Sequence, residues 1–125
     1  MPQITLEHTA NLRPDRPWTD LLGRLHDQIA GLTGVEADSL NSRVLKLDTF
    51  RVGDGADNKA FAHLTIQIFS GRTPALKAEL GRAGLALLKH HLAETSGGLD
   101  VHLTVEIRDL DREAYFKERL RPTPT

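Results

Sequence analysis

The 125-residue sequence contains no cysteine, so disulfide bonds, thiolate metal sites and cysteine nucleophiles are excluded. Aromatic residues make up only 5% of the chain, and no apolar run is long enough to predict a signal peptide or a membrane span. Sixteen basic and seventeen acidic side chains give a formal net charge of −1. That balance favours neither nucleic acid nor an anionic membrane as a partner. We therefore expect a soluble cytoplasmic protein.

The chain opens on a strand pattern directly behind a proline at position 2. Ile4 and Leu6 alternate with polar neighbours, and this two-residue period is typical of a half-buried strand. Removal of Met1 would give Pro2 a secondary amine at the start of that strand, and such an amine can act as a general base. The plainer interpretation is that Pro2 only limits fraying of the N-terminus.

Two longer segments have apolar residues at helical spacing. The first helix is predicted from Pro17 and is closed by Gly31 and Gly34. The second is predicted to open on Thr73-Pro74, as N-cap and first helical residue, and to end near Ser96-Gly97-Gly98. Alternation typical of strands covers three further segments, residues 42–49, 60–69 and 101–107.

The order strand, helix, strand occurs twice, which predicts two β-α-β units. Each unit contributes a parallel pair of strands through a right-handed connection. We expect an α+β fold of α/β-type units, in which one four-stranded mixed sheet carries both helices on one face. Residues 1–125 form a single domain in this prediction, with a short charged helix (about 111–120) and a tail over residues 110–125. Ile4-Thr5-Leu6-Glu7 resembles Leu64-Thr65-Ile66-Gln67, which leaves internal duplication and chance both open.

The second face of the predicted sheet is polar. Two helices cover only one face, so this second face is either solvated or shared with other subunits. His63 and His102 lie on it, but no third histidine or carboxylate stands at ligand spacing, and no metal site is predicted. The other polar residues expected on this face are Thr5, Glu7, Thr65, Gln67, Thr104 and Glu106.

Several short motifs are spread along the chain: Met1-Pro2, Ser42-Arg43-Val44, Asp48-Thr49-Phe50, Asp54-Gly55, Ala60-Phe61 with His63 and Thr65, Gly71-Arg72, and Phe116-Lys117. With these motifs the chain resembles the 5-carboxymethyl-2-hydroxymuconate isomerase family of the tautomerase superfamily. The resemblance implies a duplicated β-α-β fold and an amino-terminal proline as catalyst. It also implies a homotrimer whose sheets face a central channel.

Site residues follow from the resemblance position by position. Pro2 matches the catalytic proline, and Arg72 matches an arginine that holds a substrate carboxylate. Arg43 lies in a matching segment and is a further candidate for substrate binding. From the residues alone, Arg72 could instead be a solvated side chain, and Arg43 could pair with Asp48 or Glu7.

Two positions depart from the family pattern. Asn41 stands where the resemblance leads us to expect an arginine. This implies either that the protein binds a different acid or that another cation, such as Arg51 or Arg13, holds the carboxylate. Phe50 stands in place of a tryptophan and keeps an aromatic wall at the substrate site.

The activity implied by the resemblance is an enol-to-ketone proton transfer on an unsaturated polycarboxylate such as 5-carboxymethyl-2-hydroxymuconate, in the breakdown of aromatic acids such as homoprotocatechuate. The reaction needs one group to move the proton and cations to hold the carboxylates. Positive charge from Arg72 and Arg43, together with desolvation, would lower the pKa of the Pro2 amine. Neither a metal nor an organic cofactor is required.

Two alternatives to that activity stay open. The protein could be a tautomerase of another 2-hydroxydienoate or of a 2-oxo acid. It could also be a non-catalytic oligomeric binding protein that kept the fold and lost the activity. Asn41 is the feature of the sequence that favours these alternatives.

Overall fold

The four strands and the two long helices follow one another in the order that the sequence predicts. The structure is a computed structural model that describes residues 2–94 and 97–124. The last strand, Asp100–Leu110, extends past the predicted end at Ile107. The elements are β1 (Gln3–Thr9), α1 (Trp18–Thr33), β2 (Asn41–Leu47), β3 (Lys59–Phe69), α2 (Pro74–Leu92) and β4 (Asp100–Leu110), with 3-10 turns at Ala37–Ser39 and Arg112–Ala114.

The strands form one four-stranded mixed sheet in the order β2-β1-β3-β4. β1 is parallel to β2, β3 is parallel to β4, and the central pair β1–β3 is antiparallel. Each β-α-β unit therefore contributes its own parallel pair, as predicted. Because the central pair is antiparallel, the first residues of β1 and β2 lie at the same end of the sheet as the last residues of β3 and β4.

One face of the sheet carries the hydrophobic core. Ile4 of β1 and Leu64 of β3 are completely buried, because α1 and α2 both pack on this face. Burying one such side chain contributes roughly 1.5–3 kcal/mol. This layer holds β1, and Pro2 at its start, in a defined position. The helices contribute Leu21, Leu25, Ile29, Leu80, Leu88 and Leu92 to the core.

The helix ends agree with the sequence signals at the end of α1 and at the start of α2, whereas Pro17 is the N-cap of α1 and not its first residue. Gly34 closes α1 with a φ of 76° and donates its N–H to the Ala30 carbonyl at 2.9 Å; a positive φ of this kind favours glycine. Thr73 caps α2 by accepting from the N–H of Leu76 at 3.1 Å. α2 ends at Leu92, ahead of the predicted end, and Ser96 lies outside the described residues.

The predicted helix over residues 111–120 is wrong. Only a 3-10 turn forms there, Arg112–Ala114, and Asp111 caps it by accepting from the N–H of Glu113 at 3.0 Å. Helices of this length gain most of their stability by packing an apolar face. Phe116 and Leu120 are 88% and 92% exposed, so the chain offers them no such packing.

The face of the sheet opposite the helices is polar and partly open, as predicted. Thr5, Thr65 and Glu106 are half-buried and lie side by side across β1, β3 and β4. β2 is an edge strand, and Leu45 is 46% exposed there. Among the described residues, no helix has the length and apolar character needed to cross a membrane.

Candidate active site

The start of β1 lies beside the start of β2, the end of β3 and the turn before α2. We call this region the proline end and define it by Pro2, Gln3, Asn41, Phe69 and Arg72. Pro2 is buried, and its carbonyl accepts a hydrogen bond from the Asn41 N–H at 3.4 Å. Gln3 faces Asn41 on one side and Gln67 on the other. Met1 lies outside the described residues, so its removal stays a prediction.

Arg43 reaches across to β1 close to Pro2. Its guanidinium donates to Thr5 Oγ1 at 3.2 Å and to Gln3 Oε1. The side chain is exposed, and its partners are neutral, so its positive charge is free to face an anion. The alternative ion pairs with Asp48 or Glu7 do not form in the described structure.

Arg72 lies at the same end, immediately before the N-cap of α2. The preceding Gly71 has a φ of 105°, a conformation that L side chains rarely adopt. Arg72 is half-buried, and its Nη1 donates to the carbonyl of Thr33, the last residue of α1, at 3.1 Å. Arg72 is therefore held in a defined position and is not freely solvated. One of its N–H groups already donates to the last residue of α1.

The segment of residues 111–120, here called the C-terminal strap, also crosses the proline end. Tyr115 accepts a hydrogen bond from Gln3 Nε2 at 2.9 Å and packs edge-on against Phe69 with ring centroids 5.3 Å apart. Further along, Arg119 pairs with Asp38 at 3.1 Å. Sequence reasoning missed this placement. The only signals for it were the isolated aromatic residues and the Phe116-Lys117 motif.

A cavity of about 270 Å³ opens between the strap and the start of β2. Asn41 is exposed and contributes an uncharged amide to this cavity. The remaining lining residues are Asp38, Ser39, Lys117, Glu118 and Arg119. Charged groups from the strap therefore stand beside the position where the resemblance led us to expect an arginine.

Three further candidates lie at the other end of the strands. Phe50 follows β2 and is 36% exposed. Arg51 donates to the Asp54 carbonyl at 3.0 Å and lines a cavity of about 400 Å³ with Phe61. Arg13 lines a separate cavity of about 420 Å³. Within one chain, the structure brings none of them to Pro2.

The polar face carries a connected group of charged side chains. His63 lies 2.6 Å from Thr104 Oγ1 and 3.2 Å from Glu106 Oε1. Arg108 contacts the other carboxylate oxygen of Glu106 at 3.0 Å. The Arg108 hydrogen bond, and after it the one from His63, lower the pKa of Glu106. Among the described residues no three His, Asp or Glu side chains are grouped to hold a metal ion.

The two paired β-α-β units and the polar sheet face define the fold of the tautomerase superfamily. A solved fused 4-OT, described as a symmetric trimer, has this fold. It covers 88% of this chain, the match spans 86% of the 4-OT chain, and the two share 21% identity with a TM-score of 0.68.

The 5-carboxymethyl-2-hydroxymuconate isomerase family model matches residues 2–120. The chain therefore belongs to the 5-carboxymethyl-2-hydroxymuconate isomerase family, and the protein is an enzyme of the isomerase class. The 5-carboxymethyl-2-hydroxymuconate Delta-isomerase of Escherichia coli is 26% identical over 118 residues, which is 94% of each chain. The crystal structure of such an isomerase from Deinococcus radiodurans R1 matches 95% of this chain and 90% of its own, with 28% identity and a TM-score of 0.84.

Proposed function

We propose that this protein is a keto–enol tautomerase of an unsaturated polycarboxylate, such as 5-carboxymethyl-2-hydroxymuconate, and that the Pro2 amine carries the proton. The observation that supports this most directly is the position of Pro2. It is buried at the start of β1, an inner strand, at the end of the molecule where Arg43 and Arg72 also lie. A proton carrier needs such a fixed place relative to the groups that hold the substrate.

In the proposed reaction, the neutral amine of processed Pro2 accepts the proton from the enol hydroxyl. The O–H bond breaks, the carbon–carbon double bond shifts, and the protonated amine returns the proton to carbon. Cations close to the site hold the substrate carboxylates and stabilise the dienolate charge between the two steps. We assign this role to Arg72 and Arg43. The amine is recovered unchanged, so the cycle consumes nothing besides the substrate.

We further propose that the working form is a homotrimer. The half-buried polar face around Thr65 and the exposed Leu45 on the edge strand are surfaces that a neighbouring copy would cover. A solved protein of this fold is described as a symmetric trimer. In this arrangement Phe50 is provided to the substrate site by a neighbouring subunit, because its own chain places it at the far end from Pro2.

The test is ketonisation of 5-carboxymethyl-2-hydroxymuconate by three forms of the protein. These are processed wild type, Pro2→Ala and a form that retains Met1. Pro2→Ala keeps a terminal amine but makes it primary and more mobile, so kcat/KM should fall strongly with some activity left. The Met1-retaining form should be slower still, because an amide nitrogen has no basic lone pair. Equal rates with and without Met1 would show that this nitrogen carries no proton.

Arg72→Ala in the same assay tests carboxylate binding. Loss of a charge-assisted contact worth roughly 1.5–3 kcal/mol predicts a fall of about tenfold to a hundredfold in kcat/KM. Arg82→Ala, on the exposed side of α2, is the matched control. If the two variants behave alike, Arg72 acts only as a cap on the Thr33 carbonyl.

Asn41 supports a second candidate substrate class. Its exposed amide provides no positive charge at the start of β2, which favours another 2-hydroxydienoate or a 2-oxo acid with fewer carboxylates. Comparing kcat/KM for 2-hydroxymuconate, its 5-carboxymethyl derivative and the enol of phenylpyruvate distinguishes the two. Binding of these acids without turnover would favour the non-catalytic binding protein instead.

A further inference from the structure

We infer that the C-terminal strap forms one wall of the substrate site and that Lys117 supplies a carboxylate-binding cation there. This inference rests on the proposed function, because it takes the space beside Pro2 as the substrate site. It adds a specificity-determining residue other than Arg51 and Arg13, the two alternative cations that the sequence suggested.

The strap is held against the sheet on both sides of Lys117. Before it, Tyr115 is fixed by the hydrogen bond from Gln3 and by its edge-on contact with Phe69. The Arg112 guanidinium lies 4.5 Å from the centre of the same Phe69 ring, a cation–π contact. After Lys117, Arg119 pairs with Asp38, which precedes β2. The backbone of residues 116–118 is therefore placed between two anchors.

Those anchors place Lys117 at the proline end, beside Asn41. Gln3 is the residue after Pro2, and the Asn41 N–H donates to the Pro2 carbonyl. Asn41 and Lys117 line the same cavity of about 270 Å³. A lysine has a flexible four-carbon stem, so its ammonium can reach into this cavity. The ammonium offers three hydrogen-bond donors.

The charges in this cavity leave Lys117 available. Asp38 and Arg119 neutralise each other. Lys117 has no hydrogen-bond or ion-pair partner among the residues that the structure describes, and neither does Glu118. A substrate carboxylate entering here meets one unpaired cation and one unpaired anion. Lys117 attracts it and Glu118 repels it, so the two side chains should have opposite effects on affinity.

Among the described residues that line this cavity, Lys117 is the cation without an ion pair. Arg51 and Arg13 line cavities at the far end of β1, with Phe61 and with His8 respectively. Arg43, whose partners Gln3 and Thr5 are neutral, is assigned with Arg72 to the carboxylates held beside Pro2. At the start of β2, Asn41 offers only an uncharged amide.

The experiment compares Lys117→Ala, Lys117→Arg and Glu118→Gln with wild type on 5-carboxymethyl-2-hydroxymuconate and on the enol of phenylpyruvate, a monocarboxylate. For the polycarboxylate, Lys117→Ala should raise KM about tenfold or more with little change in kcat, and Lys117→Arg should restore most of the affinity. Glu118→Gln should lower KM. The monocarboxylate should respond less than about twofold to all three.

Lys46→Ala is the matched control, since Lys46 is an exposed lysine at the opposite end of β2. Its KM should equal that of wild type. An unchanged KM for the polycarboxylate in Lys117→Ala, with wild type active, overturns the inference while leaving the proposed function intact. Equal effects of Lys117→Ala on both substrates also overturn it, because they indicate a general change in structure.

A binding measurement separates this inference from the proposed function. Calorimetric titration with muconate, a dicarboxylate without an enol hydroxyl, should show weaker binding to Lys117→Ala than to wild type or Lys46→Ala. If wild-type protein turns over none of the enols, the proposed function is contradicted. The titration then tests by itself whether Lys117 binds a carboxylate. Equal muconate affinity in Lys117→Ala and wild type, or no binding to wild type, overturns the assignment.

Discussion

At the scale of single residues, His91 shows what burial does to a titratable group. It is 5% exposed and packs against Trp18 with ring centroids 5.4 Å apart. Its Nε2 has no hydrogen-bond partner among the described residues. Burial, and after it the charge of Arg16, lower the pKa of His91 from its ordinary value of 6.5. The folded protein therefore holds this imidazole neutral under conditions in which the unfolded chain protonates it.

The consequence is a loss of stability in mild acid. Well above pH 6.5 His91 is neutral in both states and adds no pH dependence. As the pH falls through 6.5 the unfolded chain gains the proton before the folded protein does, so stability falls until the pH passes the folded pKa. His91→Phe keeps a ring beside Trp18 without titrating. We expect its stability to fall less than that of wild type between about pH 7.5 and about pH 5.5 in denaturant unfolding.

The neighbouring His90 provides the control for this prediction. It is exposed on the same helix, so His90→Phe should retain the acid sensitivity of wild type. Parallel pH dependence in wild type and His91→Phe would contradict the account of His91.

At the scale of elements, the contact between α2 and the sheet depends on a glycine. A Cβ at Gly84 would lie 3.1 Å from Leu64 Cδ2 and 3.3 Å from Val105 Cγ1, whereas a Cβ at Gly81, one turn earlier on α2, would have nothing within 4 Å. The helix therefore approaches β3 and β4 so closely that a Cβ at residue 84 would crowd these two side chains. At Gly81 no neighbouring atom would crowd a side chain.

The two glycines predict opposite responses to alanine. Gly81→Ala should stabilise the protein by about 0.5–1 kcal/mol, since alanine loses less backbone entropy in a helix. Gly84→Ala gains the same entropy but crowds Leu64, so it should be less stable than Gly81→Ala by about 1 kcal/mol or more. Denaturant unfolding of both variants measures this difference. Equal stabilities would mean that Leu64 and Val105 move away without cost.

At the scale of the whole molecule, the polar face predicts association. We expect sedimentation equilibrium to give a mass close to three times the 13.8 kDa chain. Thr65→Glu should lower that mass, because it adds a carboxylate at the centre of the face, opposite Thr5 and beside Glu106. Thr19→Glu, on the exposed first turn of α1, should stay associated. A wild-type monomer at micromolar concentration would contradict the trimer.

Much of the fold could be predicted from the sequence, because periodicity and end signals are local. Alternation in β1 and β3, the Thr73-Pro74 start of α2 and the polar second face follow from residues a few positions apart, and the structure confirms each of them. The same local patterns placed Pro2 at the head of a strand. The helix predicted over residues 111–120 is wrong for a physical reason as well. The charge pattern of a solvated helix carries no information about what the segment packs on.

The composition of the site beside Pro2 was decided by tertiary structure. Gln3 and Tyr115 are 112 positions apart in the sequence, yet they share a hydrogen bond. Arg72 is bonded to a carbonyl 39 residues away. The antiparallel pairing of β1 with β3 lets Tyr115 of the strap contact Gln3 and Phe69, and it leaves Phe50 at the other end of the strands. Which side chains meet at Pro2 depends on strand order and direction, and these are set by how the two β-α-β units pack together rather than by any pattern within one segment.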